Sequence, residues 1–201
     1  MRKIIAFNHV SADGYFATAD DALTWTVPEP ALDQRAAAAS QSRAGTILFG
    51  RRTYDMFESF WPNALGDAAR APDPHRPGRG STEMRAMAVW INAATKVVFS
   101  KTRTAVTWQN SRLLHAIDPA EITALKQQPG DDILVFGSGS VASQLTEHGL
   151  IDEYQFVVAP ILLGAGRSLL SGIPQSLRVD LLEAKSYPSG NVMLRYARQR
   201  S

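Results

Sequence analysis

Residues 132–142 read DILVFGSGSVA. Four consecutive branched or aromatic residues, Ile133 to Phe136, bounded by Asp132 and Gly137, predict a strand buried on both faces, the pattern of a parallel sheet. The turn Gly137-Ser138-Gly139-Ser140 then opens a helix that runs through His148 and closes at Gly149. Glycines after a strand allow close backbone approach, and the free N–H groups of a helix start favour an anion. Written as G-x-G-x-x-A, the turn would be a dinucleotide fingerprint if it followed the first strand and an acid ended the next strand about 20 residues on. It lies late in the chain instead, and Asp152-Glu153 precede the next strand. A standard Rossmann domain is disfavoured. Two readings stay open, a plain glycine turn and a phosphate-binding turn in another α/β topology.

Outward from this unit the same grammar repeats. Short apolar runs at Lys3–Val10 (KIIAFNHV), Thr46–Phe49 (TILF) and Lys96–Ser100 (KVVFS) predict buried strands, with a further short one at Val106–Trp108. Tyr154–Leu163 is long and apolar, interrupted by Pro160. Leu177–Ser186 and Val192–Arg198, joined at Ser189-Gly190, read as a hairpin. Between them lie helices. One is alanine-rich, within Thr26–Gly45. One covers Arg51–Phe60, with Tyr54, Phe57 and Phe60 on one stripe. One starts at Ser81, and one covers Pro119–Gln127 behind an Asp118 cap. Pro62–Gly80 holds four prolines and three glycines without periodicity, and predicts a long, mobile loop. Strands alternating with helices, then a strand pair, describe an α/β sandwich with a largely parallel sheet and an antiparallel edge, in one domain over residues 1–201.

Composition narrows the function. The 201 residues are 45% hydrophobic and 20% charged, with 21 Lys+Arg against 19 Asp+Glu. With no cysteine there is no disulfide, thiolate nucleophile or iron–sulfur ligand. His9, His75, His115 and His148 lack metal-ligand spacing, so no metal site is expected. A net charge of +2, with no basic stripe and no nucleic-acid motif, argues against DNA or RNA as partner. No apolar run is long enough for a membrane span, and MRKIIAFNHV reads better as a first strand than as a signal peptide. A cytoplasmic location is the expectation.

The basic residues matter by position. Gly50-Arg51-Arg52-Thr53 stands where a strand meets a helix, the place where α/β sheets open a crevice. Arginines at a helix N-terminus oppose its dipole, and a bound phosphate would reverse that penalty; solvated surface arginines are the alternative. Ser100-Lys101-Thr102 ends another strand and offers a hydroxyl and an ammonium. Asp13, in Ser11-Ala12-Asp13-Gly14, is the acid–base candidate, with a purely structural Asp-Gly turn as its alternative. Asp33 lies in an early helical turn, where a carboxylate also caps. Tyr15, Trp25, Phe60 and Trp61 lie near strand ends and are candidates for the walls of a planar-ring pocket or for core packing.

Taken together, SADGYFA (11–17), LTW (23–25), LFGRRTYDMFESFWP (48–62), KVVFSKT (96–102), the run from Gly130 to Leu170 and SGNVMLRY (189–196) resemble the dihydrofolate-reductase-like family that includes the C-terminal reductase domain of bacterial riboflavin biosynthesis proteins. The pieces occur in the family's order along nearly the whole chain. The resemblance implies a three-layer α/β/α sandwich, a mixed sheet of about eight strands ending in a hairpin, and a homodimer. It implies NADPH lying across the strand ends. Gly50, Arg51, Arg52 and Thr53 would be at its phosphates, Ser100 and Lys101 near the adenosine 2′-phosphate, and Gly137, Ser138, Gly139, Ser140 and Val141 around the pyrophosphate. Tyr15, Trp25, Asp33, Phe60 and Trp61 fall in the substrate region. The implied reaction is hydride transfer to a C=N or C=O group of a pterin-, folate- or pyrimidine-like heterocycle. The alternative is a nucleotide- or small-molecule-binding protein that keeps the reductase fold without catalysis.

Overall fold

A computed structural model describes residues 1–32, 45–64 and 82–199. Its first strands are β1 (Ile4–Ser11), β2 (Tyr15–Ala17) and β3 (Thr46–Gly50). Helix α1 (Arg51–Phe60) follows β3 without a linker and ends in a 3-10 turn, Trp61–Asn63. Helix α2 (Thr82–Ala93), β4 (Thr95–Phe99), β5 (Ser111–Leu114) and α3 (Pro119–Gln127) come next. Then follow β6 (Ile133–Phe136), α4 (Gly139–Glu147), β7 (Glu153–Ala159), β8 (Arg167–Ser168), β9 (Val179–Ser186) and β10 (Val192–Arg198).

Eight strands form one sheet in the order β5-β4-β3-β6-β1-β7-β10-β9. Neighbours from β5 to β7 pair in parallel, and β10 and β9 add an antiparallel hairpin edge. Side chains alternate across the sheet and build two cores. Ile4, Ala6, Leu48, Ile133 and Val135 meet Ile122, Leu125, Val141 and Leu145 of α3 and α4 on one face. Ile47, Phe49 and Val98 meet Tyr54 of α1 and Trp90 and Ile91 of α2 on the other. The protein is thus a three-layer α/β/α sandwich with a mixed eight-stranded sheet and a C-terminal hairpin, as expected. No helix among the described residues is long and apolar enough to cross a membrane.

Several local expectations change. Val106–Trp108 is not a strand; the edge strand is Ser111–Leu114. Trp108 is apolar because it plugs the core. Its indole Nε1–H donates to Asn92 Oδ1 at 2.7 Å, and its backbone N–H donates to side chains of α1 rather than to a ladder. The apolar stretch Tyr154–Leu163 is interrupted at Pro160, as its sequence indicates: β7 stops at Ala159, and proline has no N–H to donate. The small β2–β8 pair was not foreseen. It brings 15–17 against 167–168, and Gly166 permits it, since a Cβ there would run into the Ala17 carbonyl oxygen. The alanine-rich helix beyond Leu32, including Asp33, and the expected loop from residue 65 onward lie outside the described residues, as does Ser81.

One buried cation shows how the helix layer is tied to the sheet. Lys96, fully buried, donates from Nζ to the carbonyls of Ile91, Asn92 and Ala94, capping the C-terminal end of α2 from inside. Burial pushes its ammonium down to about 8.

Candidate functional site

A cleft of about 720 Å³ opens at the C-terminal ends of the central strands. The chain leaves β1 toward β3 on one side of the sheet and leaves the neighbouring β6 toward β7 on the other, so the crevice sits where strand order reverses. The strand-to-helix and strand-to-loop junctions after β3, β4, β5 and β6 line it.

The junctions after β3 and β6 are built against each other. Gly137 (φ 55°) and Ser138 (φ 58°) are consecutive left-handed residues, an uncommon state for serine that marks a backbone held by its surroundings. Gly50 caps α1 with no side chain of its own, and a Cβ there would fall 1.8 Å from Ser138 Oγ. A Cβ on Gly139 would meet the Phe16 ring at 2.9 Å. Two glycines therefore set how close α1, β2 and the turn approach.

Basic groups crowd this end. Among the described residues, Arg51, Arg52, Lys101 and Arg167 line the cleft with a single carboxylate, Asp21. Asp21, itself left-handed at φ 66°, bridges Arg52 Nη1 and Arg167 Nε, each at 2.6 Å. Arg51 pairs with Asp55 one turn along α1 at 3.3 Å. The loop after β4 is fixed from behind. Ser100 Oγ accepts from the N–H groups of Thr102 and Arg103, and His115 Nδ1 meets the Ser100 carbonyl at 2.9 Å. Arg103 then clasps Asp55 and Glu58 of α1 at 2.5 and 2.9 Å. Burial opposes ionisation of Glu58. Hydrogen bonds from Thr107, Arg103 and Tyr54 outweigh it and bring the carboxyl to about 2.

The cleft also carries aromatic surface. Phe57 stacks on Phe136 with centroids 5.9 Å apart, Phe7 meets Phe136 edge-on at 6.0 Å, and Trp61 adjoins Phe57 at 6.2 Å. All four line the cleft, a surface suited to a planar ring.

Arg51, Arg52, Thr53, Ser100, Lys101, Gly137, Ser138, Gly139, Ser140 and Val141, predicted from sequence, converge on this one cleft, with Gly50 directly behind it. Of the aromatic candidates only Trp61 lines it. Phe60 is buried with Ala64, Met84 and Ala88. Trp25 is buried with its indole N–H on the Ala22 carbonyl, and Tyr15 packs in β2 beside Gly166. Asp13 stands off the cleft lining. Its carboxylate accepts from Ser11 Oγ at 2.6 Å and from the N–H groups of Leu163 and Gly164 at 3.1 and 2.7 Å. The Ser11 hydroxyl, joined by those two N–H groups, holds it below the usual carboxylate range. That ties two loops together and leaves an ionised group with no proton to give.

Sequence reasoning missed Phe7, Asn8 and His9 at the end of β1, and Asp21 and Arg167. Asn8-His9 inside an otherwise apolar strand was a usable signal. Asp21 and Arg167 meet only through the β2–β8 pair, which no local pattern announces.

The sequence profile of the RibD C-terminal domain matches residues 2–193. The chain is 25% identical to the uncharacterised protein YyaP of Bacillus subtilis (strain 168), over 97% of this chain and 94% of that one. Among solved structures, a protein of Shewanella sp. PV-4 assigned to riboflavin biosynthesis superposes with a TM-score of 0.72 at 24% identity, covering 98% of this chain and 99% of that one. A dihydrofolate reductase of Enterococcus faecalis, solved with NADP(H), superposes with a TM-score of 0.61 at 13% identity, covering 98% and 97%.

Proposed function

The chain belongs to the RibD C-terminal domain family, and from that membership and its cleft we propose that it is an NADPH-dependent reductase, one domain that delivers hydride to a C=N or C=O group of a small pterin-, folate- or pyrimidine-like heterocycle. The observation that carries this reading is the joining, in one cleft, of a basic, glycine-lined end and an aromatic end.

The residues fit a phosphorylated dinucleotide. The absent Cβ atoms at Gly50 and Gly139 let the turn after β6 pack tightly against α1 and β2, and α4 starts in that turn, a helix N-terminus of the kind that favours an anion. Arg51 and Arg52 bring charge to a pyrophosphate, and Ser100 and Lys101 bring a hydroxyl and an ammonium to a 2′-phosphate. Bound there, NADPH supplies the hydride. The chain's own part is to orient the two rings against Phe7, Phe57, Phe136 and Trp61 and to keep water from them. Asp13 is assigned to loop support rather than proton donation. A homodimer is proposed through the β9 edge, whose Val179, Leu181 and Leu182 are exposed large apolar side chains.

Asp13's position favours a second reading, a nucleotide-binding protein without catalysis. Oxidation of NADPH by the purified protein, followed across a panel of pterins, folates and pyrimidinones, separates the two. Substrate-dependent oxidation supports the reductase. Tight NADPH binding with no oxidation across the panel supports the binder.

A further inference from the structure

β1 is flanked by β6 and β7 in the middle of the sheet, and Asn8 lies in its C-terminal half between Phe7 and His9. By strand alternation its side chain shares a face with Ile4 and Ala6, both buried in the core. Asn8 is 3% exposed and lines the cleft. Neither its Nδ2 nor its Oδ1 has a hydrogen-bond partner among the described residues.

Another buried asparagine shows what this fold does with the residue when it is structural. Asn92 donates from Nδ2 to the carbonyls of Trp61 and Ala88 and accepts at Oδ1 from Trp108. Every group of that amide is used. Asn8 uses none, although leucine has the same branched shape and number of heavy atoms and would carry no desolvation penalty. A buried amide at a binding cleft with both halves unspent is a group kept for something that arrives later.

What arrives is constrained by chemistry. An asparagine amide presents one acceptor and one two-hydrogen donor in a plane, without charge. Its complement is another neutral planar amide, whose N–H meets Oδ1 and whose C=O meets Nδ2. Phe7 and Phe136, whose rings meet edge-on, line the same cleft.

We propose that Asn8 is the specificity residue of the cleft, pairing with the planar amide edge of the bound ligand. This rests on the reductase reading and deepens it. The amide comes either from the carboxamide of the cofactor's nicotinamide or from the ring lactam of the heterocyclic substrate. Asn8 positions the ring and touches no transferring atom.

The test uses the full chain as parent, Asn8→Leu and Asn8→Asp, each melted without ligand and titrated with NADPH, 2′,5′-ADP and uracil. The 2′,5′-ADP probe keeps the adenosine phosphates but lacks any nicotinamide. The ligand-free Asn8→Leu protein is expected to melt at or above the parent temperature, because an unpaired buried amide has been removed. Its 2′,5′-ADP affinity stays at the parent value. If the cofactor supplies the amide, NADPH binding weakens by about tenfold or more. If the substrate does, NADPH binding holds and the stabilisation by uracil is lost. Asn8→Asp, close to isosteric but without the donor, is expected to lose the same response and keeps the test open should the leucine protein fold poorly. A lower melting temperature for Asn8→Leu, with all three ligand responses unchanged, overturns the proposal, since the amide is then paired inside the fold. A parent that binds neither NADPH nor 2′,5′-ADP overturns the dinucleotide reading alone, and the uracil arm then decides for Asn8.

Discussion

The two ends of the cleft were written into the sequence in different ways. At the basic end most contributors come in short contiguous strings: Gly50-Arg51-Arg52-Thr53 after β3, Ser100-Lys101 after β4, Gly137 to Val141 after β6, with Asp21 and Arg167 standing apart. Strand ends of a parallel sheet lie side by side, so strings that end strands meet without further instruction. At the aromatic end Phe7, Phe57, Trp61 and Phe136 come from four separate elements, and each could as well be core. Recognition of phosphate is a backbone property and travels with a motif. Recognition of a ring is a property of the assembled surface.

That contrast can be broken most directly at the arginines. The double replacement Arg51→Ala/Arg52→Ala is expected to weaken NADPH by about a hundredfold at low salt, as two charge-assisted contacts are lost, with little change in thermal stability. Calorimetric titration checks it. An unchanged affinity would move the phosphates away from α1.

Gly50→Ala is next in size. The added methyl group drives Ser138 out of place, and we expect about a tenfold loss in NADPH affinity and roughly 1–3 kcal/mol of stability. Adding Ser138→Ala removes the colliding oxygen and restores most of both. Failure of that rescue would show that the turn does not depend on the close approach of α1.

The clasp behind the loop after β4 gives a pH test. The Glu58 carboxyl is about 2 in the folded protein against an ordinary value of 4.5. A depressed carboxyl contributes stability that is complete above the ordinary value and lost as pH falls toward the folded one. Stability should therefore drop between about pH 5 and about pH 2, and Glu58→Gln should flatten that slope by about 1–3 kcal/mol. Urea unfolding of both proteins across this range measures it. Parallel slopes would remove Glu58 from the clasp.

The smallest effect is expected at Asp13. Asp13→Asn should leave NADPH affinity and any hydride-transfer rate within about twofold, because the side chain serves the Leu163–Gly164 loop. A loss of turnover with unchanged binding would return Asp13 to the chemistry.

The layer architecture was legible because buried parallel strands are short apolar runs and their helices carry explicit ends. Arg51–Phe60, Pro119–Gln127 and Val192–Arg198 have the limits their patterns predict. Asp118 caps α3 by accepting from the Ala120 N–H at 2.9 Å, as its position promised. What was not legible depends on distant partners. Val106–Trp108 has strand composition, but Tyr54, Glu58 and Asn92 take its polar groups. The β2–β8 pair is two or three residues long and leaves no period to detect. Asp21 reaches Arg52 and Arg167 only because that pair forms.

The central claim is that the basic end of the cleft holds a dinucleotide bearing a 2′-phosphate. Titration of the parent and of Lys101→Ala with NADPH and NADH, followed by tryptophan fluorescence from Trp61 in the cleft wall, tests it most directly. The account predicts that the parent prefers NADPH by about tenfold or more and that Lys101→Ala erases most of the preference while leaving NADH unchanged. Equal affinity of the parent for the two nucleotides, or no binding of either, would contradict it.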